Sequence, residues 1–342
     1  MGTPRWLAAH VERGTLRTFP LAWFLSHLYG VIARPFLVRP VDIPPGVRII
    51  GVGSAVLGGA GKTIVAIAYA RAFRKAGARV ALVSHGYGGR ARGPVLCGGD
   101  EDARHVGDDA LVAAQELRGL GVEVWVGSDR GLAIREAARR ADIVVVDGLL
   151  QAKPRALARS VIVLDANHPF GSGACPPSGD LRGPVQALLR LCDEAVLVRD
   201  ELAGACPFEL ERLLAEVPVV RTAWLGVAGL VGVNGGCSLD RVASMAVGYA
   251  SLLARPERVL ETLRLRKIVP VCRWHGPDHG MLSGRDVGHL RGLACKHRLG
   301  GWLIAAKCAT HFTNLDIGAP VMAIDITSRL DPEPLPVQDS PS

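Results

Sequence analysis

The sequence predicts an α/β fold, a parallel sheet with helices on both faces. Three observations predict it. Short apolar runs rich in β-branched residues recur along the chain, each followed by a helical pattern. Several runs are continuous rather than alternating, as in Ile143-Val-Val-Val146, which suits strands covered on both faces. One run, Val47-Arg-Ile-Ile-Gly-Val52, leads through the glycine-rich stretch Gly51-Val-Gly-Ser-Ala-Val-Leu-Gly-Gly-Ala-Gly-Lys-Thr63 into a helical pattern from Ile64 to Ala76. Strand, glycine-rich turn and helix form the context of a phosphate-binding loop, so the expected fold is P-loop NTPase-like.

Composition sets the bounds. A chain of 342 residues with 49% hydrophobic content buries a full core. The net charge of +8 is carried mostly by arginine, which suits an anionic membrane surface or a phosphorylated substrate as well as a generally basic protein. No basic run interleaved with aromatics points to nucleic acid, and no internal repeat is present. The eight cysteines are scattered without a C-x-x-C pair or zinc spacing, as in a protein of a reducing compartment.

In chain order, 1–46 is an N-terminal segment. Thr18 to Ala33 is uncharged, aromatic-rich and flanked by Arg13, Arg17, Arg34 and Arg39. It is short of the about 20 apolar residues of a bilayer span. It lacks a small-residue cleavage site, and fits a helix lying in a membrane interface. A helix packed on the protein's own core is the alternative. Pro40, Pro44 and Pro45 end the segment.

A core over 47–205 follows. Amides of the glycine-rich turn, at Gly58, Gly59, Ala60 and Gly61, would face the phosphates of a nucleotide. Lys62 would reach the β- and γ-phosphates and Thr63 would offer its hydroxyl to Mg²⁺. Val56 stands where the strict motif has its first glycine, and a glycine-rich turn with one surface lysine is the alternative. Val80-Ala-Leu-Val83 is a strand ending in the loop Ser84-His-Gly-Tyr-Gly-Gly89. Val106-Gly-Asp-Asp109 opens a helix to about Gly119, with Asp as its cap. Val122 to Val126 is a strand and Asp129 to Ala141 a helix. Ile143 to Asp147 has the form of a strand whose terminal carboxylate holds Mg²⁺ directly or through water. Strands over Val161 to Asp165 and Glu194 to Val198 complete the core.

A smaller C-terminal α/β lobe over 206–330 is expected next. Short strands and a helix fall in 207–245, helices run from Pro256 to Arg264 and near Gly284 to Leu293, and strands cover Gly301 to Ala305 and Pro320 to Ile324. Residues 331–342, rich in proline and acidic groups, are expected to be a disordered tail.

Eight motifs in this order resemble the tetraacyldisaccharide 4′-kinase family, the lipid A kinases of Gram-negative bacteria. The phosphate loop resembles V-G-N-x-T-x-G-G-T-G-K-T-P, which also lacks the first glycine. Ser84-His-Gly-Tyr-Gly88 resembles S-R-G-Y-G, Val106-Gly-Asp-Asp109 resembles V-G-D-E-P, and Asp147-Gly-Leu-Leu-Gln151 resembles D-D-G-x-Q-H. Gly171-Ser-Gly173 with Pro177-Ser-Gly-Asp-Leu-Arg182 resembles G-N-G-x-L-L-P-A-G-P-L-R-E-P. Ala254-Arg-Pro-Glu-Arg258, Gly276-Pro-Asp-His279 and Lys307 match the family's R-P-E-R, F-P-D-H-H and T-T-E-K-D.

The resemblance implies transfer of the γ-phosphoryl of ATP, with Mg²⁺, to the 4′-hydroxyl of a lipid-linked glucosamine disaccharide 1-phosphate. It implies a peripheral or monotopic enzyme on the cytoplasmic, anionic face of the inner membrane. Asp108 and His279 then match the family's base and its partner, with Asp278 orienting His279 or the metal shell. Because these residues lie far apart in the chain, the acceptor site is expected between two lobes that close on ATP. The residues themselves also allow Asp108 as a plain cap and His279 as a loop histidine. Arg182 is open to a phosphate contact or a structural ion pair, and Tyr87 to packing alone. The departures are Val146 for the first Asp of D-D-G, His85 for Arg, Ser54 and Ser172 for Asn, Asp109 for Glu, and Cys308 for the Asp after Lys307. Two rival readings remain. One is a non-catalytic or retargeted nucleotide-binding protein of the same fold. The other is a soluble P-loop enzyme of another class, for which 18–33 would be dispensable.

Overall fold

The computed structural model describes residues 20–33, 37–232, 235–237, 239–276 and 281–336. The chain forms two compact units, one of Met1–Arg199, Gly204–Trp224 and Ser328–Ser342, the other of Asp200–Ala203 and Leu225–Thr327.

The first unit opens with helix α1 (Pro20–Ala33) and strand β1 (Val38–Pro40). Next come β2 (Arg48–Ser54), α2 (Lys62–Lys75), β3 (Val80–Ser84), β4 (Val95–Cys97), α3 (Ala103–Val106), α4 (Asp108–Leu117), β5 (Glu123–Val126) and α5 (Arg130–Ala138). The rest are β6 (Ile143–Asp147), β7 (Gln151–Lys153), β8 (Arg159–Asp165), α6 (Val185–Leu189), β9 (Glu194–Asp200) and α7 (Phe208–Leu214). Its sheet runs β9-β8-β2-β6-β3-β5-β4, and every pairing is parallel except the last. Strands β6 and β3 are buried throughout, as their unbroken apolar sequences require. One face packs Ile49, Val144 and Val146 against Ala133, Ile134 and Ala137 of α5. The other packs Ile162, Leu164 and Leu197 against Leu188 and Leu189 of α6. The chain order reverses around β2 and β6, which is where open parallel sheets leave a crevice at their carboxyl ends.

The second unit holds β11 (Gly235–Cys237), α8 (Leu239–Ala243), β12 (Val247–Ser251), α9 (Glu257–Leu265), β13 (Cys272–His275), α10 (Gly284–His297) and β14 (Gly301–Ala305). Strands β13, β12 and β14 are parallel neighbours, with β15 (Val321–Asp331) beside β14. Trp302, Tyr249, Leu290 and Phe312 fill its core, and a Ser283–Asp286 capping box starts α10.

Three expectations change. The stretch after α7 is one long strand, β10 (Val219–Gly232), and not several short ones. Asp108 is not a helix cap, because Gly107 occupies the N-cap and no side chain caps it. Part of the expected disordered tail is ordered: Asp331 ends β15, Lys75 Nζ reaches Glu333 Oε2 at 3.2 Å, and Arg221 Nη1 donates to Pro332 O at 2.8 Å. Residues 337–342 lie outside the described residues.

Candidate functional site

The glycine-rich loop lies at the carboxyl end of β2 and opens α2. Gly59 and Gly61 take φ of 68° and 87°, a region that a side chain disfavours. Gly61 is the N-cap of α2 in the left-handed conformation, with no side-chain cap. The helix dipole favours an anion at this end of α2. Lys62 and Thr63 are the first two residues of α2.

The far arm of the loop is pinned from the side. Val56 and Leu181 form an antiparallel bridge, Leu57 N donates to Asp180 O at 3.0 Å, and Arg182 N donates to Ala55 O at 2.8 Å. Arg182 Nε donates to Val56 O at 3.0 Å and its Nη2 to Leu57 O at 3.3 Å. Extended pairing explains a β-branched residue, 1% exposed, where the strict motif has glycine. Arg182 therefore braces loop carbonyls. Ser54, the replacement for the family's Asn, donates from Oγ to Val56 O at 2.8 Å. Ser172, another replacement, donates from both N and Oγ to Asp180 Oδ1, at 2.9 and 3.0 Å. Asp180 ties the bracing loop together, and its motif alone gives no sign of that.

Thr63 and Asp147, 84 residues apart in sequence, meet at the head of the loop: Thr63 Oγ1 donates to Asp147 Oδ2 at 2.7 Å. Asp147 is 6% exposed. The chain then turns at Gly148, whose carbonyl accepts from Arg130 Nη2 at 3.3 Å. Burial holds the Arg130 guanidinium below its usual range, Arg39 adds to that push, and Asp147 opposes it. Burial lowers Arg182 in the same way, with Arg39 adding and Tyr29 and Asp147 opposing. A hydroxyl beside one buried carboxylate is a hard-oxygen set that fits Mg²⁺ shared with nucleotide phosphates.

The 84–89 loop and the start of α4 are packed as one piece. A Cβ on Gly107, which has φ 85°, would meet Tyr87 O at 2.7 Å, and one on Gly89 would meet His105 O at 2.7 Å. This contact places Asp108, 6% exposed, in the first turn of α4 beside the loop that follows β3. Tyr87 is 63% exposed. His85 is pushed below the usual imidazole range by burial first and then by Arg130, against a bond to the Gly127 backbone, with Arg39 also lowering it. Asp278 and His279 lie outside the described residues. Lys307 follows β14 in the second unit, next to a core-buried Cys308. Val146 sits in the apolar core of the first unit.

Helix α1 is inverted relative to an ordinary surface helix. Ser26 is 6% exposed and donates from Oγ to Cys175 O at 2.7 Å. Gly30 is buried, in the space below Pro184 and Cys175. The large apolar residues point outward: Leu21 is 69% exposed, Phe24 59% and Ile32 54%, with Leu25, Leu28 and Tyr29 exposed as well. Ser26 and Gly30 thus seat the helix on the first unit while its large apolar side chains face outward. Among the described residues, no helix is long and apolar enough to cross a membrane.

Fold and site together define a mostly parallel α/β protein with a glycine-rich loop opening a helix at the carboxyl edge of the sheet. The chain belongs to the tetraacyldisaccharide 4′-kinase family, whose model, described as tetraacyldisaccharide-1-P 4′-kinase, matches residues 18–334. It is 33% identical over 295 residues to a tetraacyldisaccharide 4′-kinase of Methylorubrum populi, covering 84% of each chain. It is 33% identical over 283 residues to that of Bradyrhizobium diazoefficiens, covering 80% of this chain and 78% of the relative. The fold is similar to the crystal structure of LpxK from Aquifex aeolicus in complex with ATP, with a TM-score of 0.62 and 18% identity over 94% of this chain and 96% of the other.

Proposed function

We propose that this protein transfers the γ-phosphoryl group of ATP to the 4′-hydroxyl of a tetraacylated glucosamine disaccharide 1-phosphate. The observation that carries the proposal is the Thr63–Asp147 hydrogen bond at the head of the glycine-rich loop. It joins the two motifs that a phosphoryl-transfer site needs adjacent. In this reading, the amides of Gly58 to Gly61 and the Lys62 ammonium hold the β- and γ-phosphates. Thr63 and Asp147 hold Mg²⁺, which when bound neutralises phosphate charge and orients the transferring group. Asp108 accepts the proton of the attacking hydroxyl. By the resemblance, His279 is the candidate partner of that base, and Asp278 is a candidate either to orient His279 or to serve the metal shell. Transfer then depends mainly on positioning and charge stabilisation.

The acceptor's acyl chains lie in a bilayer, so the enzyme works at its surface. The outward apolar face of α1 supports docking to the cytoplasmic leaflet as a peripheral or monotopic protein. Burying one large apolar side chain contributes about 1.5–3 kcal/mol, so six partly exposed ones supply a stable anchor. Val146 stands where the family's motif has an Asp, and a family member with an altered acceptor is the alternative that the test separates.

The test is transfer of labelled γ-phosphate to the tetraacylated disaccharide 1-phosphate in mixed micelles, with wild type, Lys62→Ala and Asp108→Ala. Transfer by wild type that collapses in both variants supports the kinase and its site. ATP binding without transfer to this acceptor moves the reading to the altered acceptor.

A further inference from the structure

Helix α2 carries Lys62 and Thr63 at its start, and its buried face is built largely of small residues, Ala66, Ala68, Ala70 and Ala72. Alanines make shallow ridges, so packing alone fixes the axial position of such a helix weakly. On its outer flank, α2 and the chain segment Ser328–Glu333 enclose a groove of about 440 Å³ over Ala68 and Ala72, so that flank is not close-packed. Two aromatics break the alanine pattern. Tyr69 and Phe73 are fully buried, with their rings edge to face at 5.6 Å. Tyr69 lies two turns beyond Lys62, about 10 Å along the helix axis.

A buried polar network grips the helix at Tyr69. The Tyr69 hydroxyl donates to Glu194 Oε1, and the same oxygen accepts from Arg221 Nε at 2.6 Å. Arg221 Nη1 donates to Pro332 O at 2.8 Å, and Glu333 Oε2 returns to α2, 3.2 Å from Lys75 Nζ. Arg159 Nη1 lies 3.8 Å from Glu194 Oε2, and its guanidinium carbon lies 6.0 Å from the centre of the Phe73 ring. All of these residues belong to the first unit. Arg159 and Glu194 are the first residues of β8 and β9, strands parallel to β2, so they lie at the sheet edge opposite the carboxyl end that the phosphate loop follows. The network thus holds α2 from the end far from the loop. A buried network is costly to leave partly satisfied, so it fixes a position that alanine packing does not.

We propose that Glu194 is a positioning residue of the nucleotide site: by holding the Tyr69 hydroxyl it sets the axial position of α2, and so the place of Lys62 and Thr63 at the head of the loop. This rests on the kinase reading above and deepens it. Glu194 acts through Tyr69 and the helix, not by contact with the reacting groups. Thr63 Oγ1 meets Asp147 Oδ2 at 2.7 Å, so a small axial slip of α2 distorts that bond. A displacement of about 1 Å at a reacting group costs on the order of 100-fold in rate. The chain segment at Pro332 and Glu333 is the outer anchor of the same network.

The experiment uses the full chain as wild type, Tyr69→Phe, Glu194→Gln and Ile162→Val. Tyr69→Phe keeps the ring and its contact with Phe73 and removes only the hydroxyl. Glu194→Gln removes the charge but keeps an oxygen that accepts from Tyr69 and Arg221. Ile162→Val trims a buried side chain of β8 outside the network and controls for lost stability. Transfer rate, Mg·ATP binding by calorimetry and melting temperature are measured on each. Tyr69→Phe is expected to lose about tenfold in kcat and in Mg·ATP affinity. Glu194→Gln should stay close to wild type in both, and Ile162→Val should melt lower with both unchanged. Three results would overturn the proposal. These are wild-type rate and affinity in Tyr69→Phe whatever its melting temperature, a Glu194→Gln as impaired as Tyr69→Phe, or an Ile162→Val that loses as much rate for the same loss of melting temperature. If wild type binds Mg·ATP but transfers nothing, the kinase reading fails by itself, and the affinities still decide the role of Glu194. Wild type that binds no Mg·ATP overturns both.

Discussion

Replacing Asp147 with Asn isolates one charge at the head of the loop. Asp147 Oδ2 accepts from Thr63 Oγ1 at 2.7 Å, and the amide oxygen of asparagine accepts the same bond, so geometry survives and only charge is lost. A divalent cation about 4 Å from a carboxylate interacts with it by on the order of 8 kcal/mol at an effective dielectric of about 20, before desolvation is subtracted. What survives that subtraction is comparable to a catalytic electrostatic contact, about 3–4 kcal/mol, or a hundred- to thousandfold in rate. Stability should change little. The buried carboxylate loses its desolvation penalty, while Arg130 and Arg182 lose a nearby counter-charge, and the two effects oppose each other. The assay is γ-phosphate transfer against Mg²⁺ concentration at saturating ATP, with a melting curve on the same sample. We expect kcat to fall about 100-fold or more and half-saturating Mg²⁺ to rise about tenfold, with the melting temperature nearly unchanged. A rate near wild type with unchanged Mg²⁺ dependence would refute the reasoning.

Three further outcomes are expected. Phe24→Asp with Leu28→Asp places charges on the outward face of α1 and should abolish vesicle binding while leaving thermal stability intact; unaltered binding would leave α1 without a membrane role. Arg221→Ala removes the close ion partner of Glu194, a carboxylate 2% exposed that Arg221 Nε meets at 2.6 Å, and leaves it Tyr69 and the more distant Arg159; it should cost about 3 kcal/mol in chemical denaturation, with Glu194→Gln recovering part of it, and an additive double variant would count against coupling. Burial lowers the His85 pKa in the folded state, so below about pH 6.5 the unfolded chain binds the extra proton and stability falls as the medium is acidified. His85→Gln should therefore lose less melting temperature than wild type between pH 8 and 6, and equal losses would exclude His85 as a source of that dependence.

Much of the sheet could be read from sequence because parallel strands buried on both faces leave continuous apolar runs. Ile143 to Asp147 appears in the structure with the bounds its sequence suggests, and Thr63 and Asp147 could be paired on paper because their motifs have fixed places in such a sheet. Features set by tertiary contact left no such trace. Gly226 and Gly229 interrupt the pattern of Val219–Gly232, so one strand reads as fragments. Nothing local marks Ser26 and Gly30 as the docked side of α1, since their partners, Cys175 and Pro184, are distant in sequence. Arg182 reads equally as a phosphate contact or a structural ion pair, and only its register against Val56 shows that it braces carbonyls. Acidic residues near a helix start suggest a cap at Asp108, but the φ of 85° at Gly107 moves the cap one residue back.

The most direct test of the central claim is the position of phosphorylation. Wild-type protein with labelled Mg·ATP is offered a tetraacylated disaccharide 1-phosphate carrying a free 4′-hydroxyl, and separately the same lipid with that hydroxyl removed. The account predicts label on the first, at the 4′ oxygen, and none on the second. Equal labelling of both lipids, or label on neither with ATP still bound, would contradict it.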